Sequence, residues 1–113
     1  TRYMEMRPEH KGLEIGGTWY APEFQRTRVN TECKYLMLKY AFEELGCIRV
    51  QFKADRRNEQ SKRAIQHLGA RCEGVFRNHY ILKDGIFRDS VYFSILDREW
   101  LATKKLLEQR LIP

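Results

Sequence analysis

Apolar and polar residues alternate over residues 2–7 and again over residues 12–20. That period of two reads as a pair of short strands. A turn through Pro8-Glu9-His10-Lys11-Gly12 separates them. Pro22 to Val29 is a loop rich in Arg and Thr. The period then lengthens. Leu38, Ala41, Phe42 and Leu45 fall at helical spacing, and Cys33, Leu36, Met37 and Tyr40 widen the apolar face. This predicts a central helix over 30–45, packed on a sheet and ended by Gly46. Ile48, Val50 and Phe52 alternate with Arg49, Gln51 and Lys53, which predicts a half-buried strand over 48–53. Asn58 is placed to cap a short helix with Ala64, Ile65 and Leu68 inward and Gly69 at its end. Residues 73–82 and 86–96 read as strands joined by a two-residue hairpin at Asp84-Gly85. Asp97 is placed to cap a last helix, with Trp100, Leu107 and Leu111 on one face. The order is β-β-α-β-α-β-β-α. A central β-α-β unit implies parallel neighbours and the hairpins imply antiparallel ones, so a mixed sheet with flanking helices is expected. The 113 residues are enough for a single domain, 1–113.

Composition narrows the class. No apolar run approaches the roughly 20 residues that span a bilayer. Thr1 to Arg7 alternates and carries charge, unlike a signal peptide. Cys33, Cys47 and Cys72 are an odd number, each in an apolar stretch. They are expected to be reduced core residues of a cytoplasmic protein. With no Cys-x-x-Cys or His-x-x-x-His pair, no zinc site is expected. The net charge of +6 favours polyanionic partners: nucleic acid, a phosphorylated cofactor or an acidic surface.

Four segments carry candidate chemistry. Gln25-Arg26-Thr27-Arg28-Val29-Asn30-Thr31 joins a strand to a helix N-terminus, whose free N–H groups and dipole suit phosphate. Arg26 and Arg28 add fork-shaped donors, and solvated surface is the alternative. Asn58-Glu59-Gln60-Ser61-Lys62 opens the next helix, where capping alone accounts for Asn58 and Ser61. In Glu14-Ile15-Gly16-Gly17-Thr18-Trp19, two glycines inside a strand mark a bulge or the close approach of a ligand. Glu14 shares a face with Gly16 and Thr18. Finally, Arg77-Asn78-His79-Tyr80 offers two candidate general acids, His79 and Tyr80, although an aromatic strand is more often core. His10 and His67 read as surface residues.

Taken in order, these pieces resemble the GNAT N-acetyltransferase superfamily, and within it the RimJ/RimL-like branch of ribosomal-protein N-terminal acetyltransferases. The matching pieces are Leu13-Glu14-Ile15-Gly16, Val29 to Leu36, Ala41-Phe42-Glu43-Glu44-Leu45-Gly46, and Asn58-x-x-Ser61-x-x-Ala64-Ile65. Leu68-Gly69-Ala70-x-x-Glu73-Gly74-Val75, Asp84-Gly85-x-x-Arg88-Asp89 and Glu99-Trp100 follow. The resemblance implies a mixed, mostly antiparallel sheet in which two parallel strands, here 13–20 and 48–54, splay apart around acetyl-CoA. It implies that the backbone of Gly17, Thr18 and Trp19 meets the pantetheine arm. The pyrophosphate would lie on Gln25, Arg26, Thr27, Arg28, Val29, Asn30 and Thr31, with Asn58 and Ser61 on the far wall. Arg28 and Asn30 stand where the family's loop carries glycines, so side-chain donors would replace bare backbone. The family's domain usually has roughly 60–80 further residues ahead of the first strand, a size typical of domain elements. The resemblance implies that those residues wall the acceptor site, and it leads one to expect that this sequence is a fragment or leaves that part out.

The resemblance further implies acetyl transfer to a primary amine, either a protein N-terminal α-amine or a small-molecule amine. Glu14 takes the general-base position and Ser61 the position that protonates the leaving thiolate. The catalytic glutamate of the ribosomal-protein branch aligns at Tyr80 and is absent. A backbone N–H near Thr18 or Trp19 would serve the oxyanion. No metal and no membrane partner is expected, and a homodimer is one assembly compatible with the reading. Two alternatives stand beside it. One is a non-catalytic member that binds CoA or a partner protein. The other is a basic nucleic-acid-binding module, although the charge is scattered and no recognition motif appears.

Overall fold

A computed structural model describes residues 1–16 and 28–112. β1 (Arg2–Arg7) and β2 (Gly12–Gly16) flank a 3₁₀ turn at Pro8–His10. Then come α1 (Arg28–Lys39), β3 (Arg49–Asp55), α2 (Glu59–His67), β4 (Arg71–Ile81), β5 (Phe87–Leu96) and α3 (Trp100–Leu111). The sheet runs β1-β2-β3-β5-β4. β2 and β3 are parallel and the other neighbouring pairs are antiparallel. The expected mixed, mostly antiparallel sheet with a parallel β-α-β centre is therefore what forms. The predicted strand over 12–20 is described only as far as Gly16.

Alternation decides which face is covered. Val50, Phe52 and Ala54 of β3 stand opposite Ile95, Phe93 and Val91 of β5. With Leu13 and Ile15 they form the buried core, to which α1 gives Leu38, α2 and the residue that caps its C-terminus give Ile65 and Leu68, and α3 gives Trp100 and Leu107. The residues between them, Glu14, Gln51, Lys53, Tyr92 and Ser94, belong to the opposite face.

The central helix departs from expectation. Regular α-helix ends at Lys39, and Tyr40–Glu44 continue as a π-turn, with Leu45 N–H donating to the Tyr40 carbonyl (3.0 Å). The wider turn shifts the helical phase. Leu45 and Tyr40 are exposed, Leu36 likewise, and Phe42 stacks on Trp100 at 5.3 Å. The buried stripe is instead Lys34, Leu38 and Ala41, the same spacing begun one turn earlier.

β4 is the sheet's outer strand and is mostly exposed. Cys33 is half-buried and Cys47 buried, but Cys72 on β4 is exposed, so the expectation of three core cysteines fails there. For the same reason Tyr80 is exposed rather than core, and Phe76 on the same strand is exposed too. The β4–β5 connection is longer than a two-residue hairpin. Ile81 pairs with Phe87, and the turn is closed by Leu82 N–H to the Ile86 carbonyl (2.9 Å) and Ile86 N–H to Asp84 (3.1 Å).

Asn58 caps α2 as expected, its Oδ1 accepting from Ser61 N–H (3.0 Å). Gly69 follows α2 at φ +95°, and a Cβ there would lie 3.3 Å from Thr103 Oγ1 on α3, so glycine meets both a backbone and a packing demand. Asp97 makes no side-chain cap. Glu99 does the equivalent work, its Oε1 accepting from Leu96 N–H (2.9 Å).

Candidate acyltransferase cleft

β2 and β3 pair at Gly12–Arg49, Leu13–Val50 and Glu14–Gln51, and the ladder ends there. Both strands go on. β2 stays paired with β1 as far as Gly16–Arg2, and β3 stays paired with β5 as far as Asp55–Ser90. The two parallel strands therefore diverge after Glu14. On the β3 side, Ile15 and Gly16 have no ladder partner among the described residues, which leaves a short strand edge to hydrogen-bond a ligand.

A cavity of about 330 Å³ opens at the divergence. Residues of both sheet faces meet in it: Ile15, Phe52 and Ala54 from the core face, Glu14, Gly16, Lys53 and Asp55 from the other. Met4 and Arg88 close one side. Asn30 and Lys34 of α1, and Asn58, Ser61, Ala64, Ile65 and Leu68 around α2, close the opposite one. Gly16 keeps the cleft open. A Cβ there would sit 2.9 Å from Met4 Sδ and 3.6 Å from Glu14 Oε2.

Glu14 is only 1% exposed. Its Oε1 accepts from Gln51 Nε2 at 2.9 Å, and Lys53 Nζ lies 3.5 Å from Oε2. Oε2 has no hydrogen-bond partner among the described residues. The Lys53 charge offsets part of the cost of burying this oxygen, and a hydrogen-bond donor from a ligand or water would offset more. Lys53 is buried enough for burial to lower its pKa. The Tyr80 hydroxyl at 2.7 Å and the Glu14 charge outweigh that and raise it. Asp55 is the other carboxylate at the wall, and Arg57 engages it through side chain and backbone, both at 2.9 Å. Those bonds hold Asp55 at about 2, so it is a poor proton acceptor near neutral pH.

The cleft brings together Glu14, Asn30, Asn58 and Ser61 of the sequence-predicted set. Val29 and Thr31 lie in the first turn of α1 and are not among the residues lining the cavity. Arg28 opens α1, and that first turn holds no acidic residue to oppose an anion. Gly17, Thr18, Trp19, Gln25, Arg26 and Thr27 lie outside the described residues, as does the Arg28 side chain. His79 and Tyr80 are not among the residues lining the cavity, although Tyr80 touches Lys53, which is. His79 Nδ1 meets Ser90 Oγ at 2.9 Å, and Tyr80 accepts from Lys53. No three His, Cys, Asp or Glu side chains converge as metal ligands among the described residues, and none of the described helices is long and apolar enough to cross a membrane.

Two residues escaped the sequence reading. Gln51 looked like the polar half of an alternating strand and is Glu14's hydrogen-bond partner. Lys34 is 6% exposed although it is a lysine. Its signal was position: it extends the Leu38–Ala41 stripe back by one turn. Lys34 Nζ donates to Asn30 Oδ1 (3.4 Å) and Thr1 Oγ1 (2.9 Å). Burial lowers its pKa to about 8, against a small opposing effect of Cys33. An unfolded lysine titrates near 10.4. Between about pH 8 and 10.4 the unfolded chain therefore holds more protons, and stability rises with pH through that window. Lys34→Met is expected to melt higher than wild type at pH 7, with the gap narrowing by pH 10. Thermal scans at both values check this. An equal loss of stability at both would show that the contacts of Lys34 outweigh its desolvation.

The class of fold is a mixed sheet with one splayed parallel pair, a helix starting beyond the splay and a cleft between the diverging strands. The chain matches the acetyltransferase (GNAT) domain over residues 1–71 and belongs to that family. YdaF of Bacillus subtilis, provisionally named a ribosomal N-acetyltransferase, is 36% identical over 88 residues, covering 78% of this chain and 48% of that protein. A crystal structure of a provisionally named acetyltransferase from T. thermophilus superposes with a TM-score of 0.92 at 48% identity, over 97% of this chain and 58% of that one. A GCN5-related N-acetyltransferase from Brucella melitensis does so with 0.94 at 36% identity, over 98% and 50%. The chain spans about half the length of the curated relatives it matches.

Proposed function

We propose that the protein transfers an acetyl group from acetyl-CoA to a primary amine, a protein N-terminal α-amine or a small-molecule amine, and that residues 1–113 form the acetyl-CoA half of that enzyme. The observation that carries this is the divergence of β2 and β3, with Glu14 at its wall, its Oε2 ion-paired to Lys53 but without a hydrogen bond among the described residues. The residues present suit the donor. The free edge at Ile15 and Gly16 fits the amides of pantetheine, and Gly17, Thr18 and Trp19 are proposed as its further contacts. The first turn of α1, from Arg28 through Val29, Asn30 and Thr31, suits the pyrophosphate, and Gln25, Arg26 and Thr27 are proposed to share it. Asn58 and Ser61 stand on the facing wall.

In this reading the acceptor must shed a proton before it attacks, since amines titrate near 8 to 10.4. Glu14 takes that proton, directly or through water. The amine nitrogen bonds to the thioester carbon, the carbon–sulfur bond breaks, and the proton the nitrogen loses on becoming an amide ends on the departing thiolate, to which the Ser61 hydroxyl gives a hydrogen bond. A backbone N–H at Thr18 or Trp19 meets the charge that develops on the carbonyl oxygen.

Calorimetry with acetyl-CoA on the intact protein, followed by product assays over N-terminal peptides and small amines, tests the proposal. Binding with turnover of any amine supports it. Binding without product moves the chain to a non-catalytic role. Salt-sensitive DNA or RNA binding with no acetyl-CoA binding would sink it in favour of a nucleic-acid module.

A further inference from the structure

Glu14 does not stand alone on its face of the sheet. Gln51 Nε2 donates to Glu14 Oε1 at 2.9 Å. Gln51 Oε1 accepts from Arg49, at 2.9 Å from Nη2 and 3.3 Å from Nε. Arg49 in turn forks onto Glu73, Nη1 to Oε2 at 2.8 Å and Nη2 to Oε1 at 2.7 Å. Ser94 Oγ donates to Glu73 Oε2 at 2.9 Å. The chain of bonds crosses four strands, from β4 through β5 and β3 to β2. Its outer end depends on an irregularity. Cys72 pairs with Phe93 and Gly74 with Tyr92, so Glu73 is the extra residue of a bulge. Bulges of this kind re-aim a side chain.

Chemistry fixes the order of the groups. A carboxylate only accepts and a guanidinium only donates. The residue between Glu14 and Arg49 must accept on one side and donate on the other, which an amide does and neither a carboxylate nor an aliphatic side chain can. The amide of Gln51 is thereby held in one orientation, its oxygen toward Arg49 and its nitrogen toward Glu14.

We propose that Gln51 is a positioning residue for Glu14, clamped by the Arg49–Glu73–Ser94 end of the same chain. It fixes one oxygen of the carboxylate so that the other, Oε2, faces the cavity. This rests on the reading of Glu14 as the base. Gln51→Leu removes both bonds at similar size, and its expected effect is a fall in kcat of about 10- to 100-fold, the scale of a misplaced catalytic group. Calorimetric affinity for acetyl-CoA is expected to be unchanged.

The deciding measurement is kcat for Gln51→Leu in two backgrounds, wild type and Glu14→Gln. A residue that acts only through Glu14 lowers kcat in the first and leaves it unchanged in the second. An equal fall in both backgrounds, or no fall in wild type, overturns the proposal. If Glu14→Gln itself keeps wild-type kcat, the base assignment fails first, and that result is separate from the cycle. Should circular dichroism show Gln51→Leu unfolded, Arg49→Lys takes its place in both backgrounds. A lysine's point charge cannot hold Gln51 and Glu73 together as the fork does. The same two outcomes then decide.

Discussion

Glu14→Gln is expected to lower kcat by about 10²–10⁴-fold, the usual contribution of a positioned general base, while calorimetric affinity for acetyl-CoA stays at the wild-type value. The substitution keeps size and shape and removes only the charge and the capacity to take a proton. The loss comes from the acceptor. At neutral pH most of a lysine-type amine, titrating near 10.4, is protonated, against a smaller share of an α-amine near 8. Raising the pH supplies neutral amine without help from the protein, so the deficit of the variant is expected to shrink as the pH approaches the pKa of the acceptor. Asp55, held at about 2 by Arg57, does not take over. Lys53 loses the nearby charge of Glu14 in this variant but keeps the Tyr80 hydroxyl. A melting curve run beside the kinetics separates lost chemistry from lost fold. Turnover at the wild-type rate, with any amine that the protein acetylates, would remove Glu14 from the mechanism.

What the chain disclosed before its structure follows from which interactions are local. The alternation at Ile48, Val50 and Phe52 survives as Val50 and Phe52 in the core, because pleating is a property of the strand itself. The Asn58 cap is formed within four residues and was legible for that reason. On the central helix, the expected Leu38 and Ala41 are buried and Phe42 packs against the core, while Leu45, which follows the period-breaking π-turn at Tyr40–Glu44, is exposed, as are Leu36 and Tyr40. Cys72, in an apolar stretch, and Tyr80, in an aromatic strand, read as core, and the position of β4 at the sheet's edge decides otherwise. In the cleft, Glu14, Asn58 and Ser61 were legible through a resemblance of ordered motifs. Gln51 was not, since its role depends on register: it stands opposite Glu14 only because Gly12 pairs with Arg49. A side chain whose meaning lies in a partner 37 residues away cannot be read from its own neighbourhood.

Phe52→Ala is expected to cost about 3–5 kcal/mol of folding free energy, the range for removing a buried aromatic ring. Phe52 is 1% exposed and stands directly opposite Phe93 on β5. It also lines the cavity, one position past the last residue of β3 that pairs with β2. The ring therefore does two things at once: it fills the core beneath α2, and it is a wall of the gap that the diverging strands leave. Domains of this size have a total stability of about 5–15 kcal/mol, so the variant is expected to be marginal, with a denaturation midpoint well below wild type and an unchanged slope. Phe52→Leu keeps an apolar side chain in the same place and is expected to lose less than half as much, roughly 1–2 kcal/mol, because less cavity remains. Urea titrations of the two variants beside wild type make the comparison. A cost for Phe52→Ala below about 1 kcal/mol, the scale of a surface change, would mean that the ring is not packed as described. The splayed pair would then be held open by something other than its core-facing wall. If the costs fall as expected, acetyl-CoA affinity of Phe52→Leu becomes the finer readout. A leucine preserves the fold but leaves the wall shallower, and a loss of affinity larger than the loss of stability would tie the packing of β3 to the shape of the cleft.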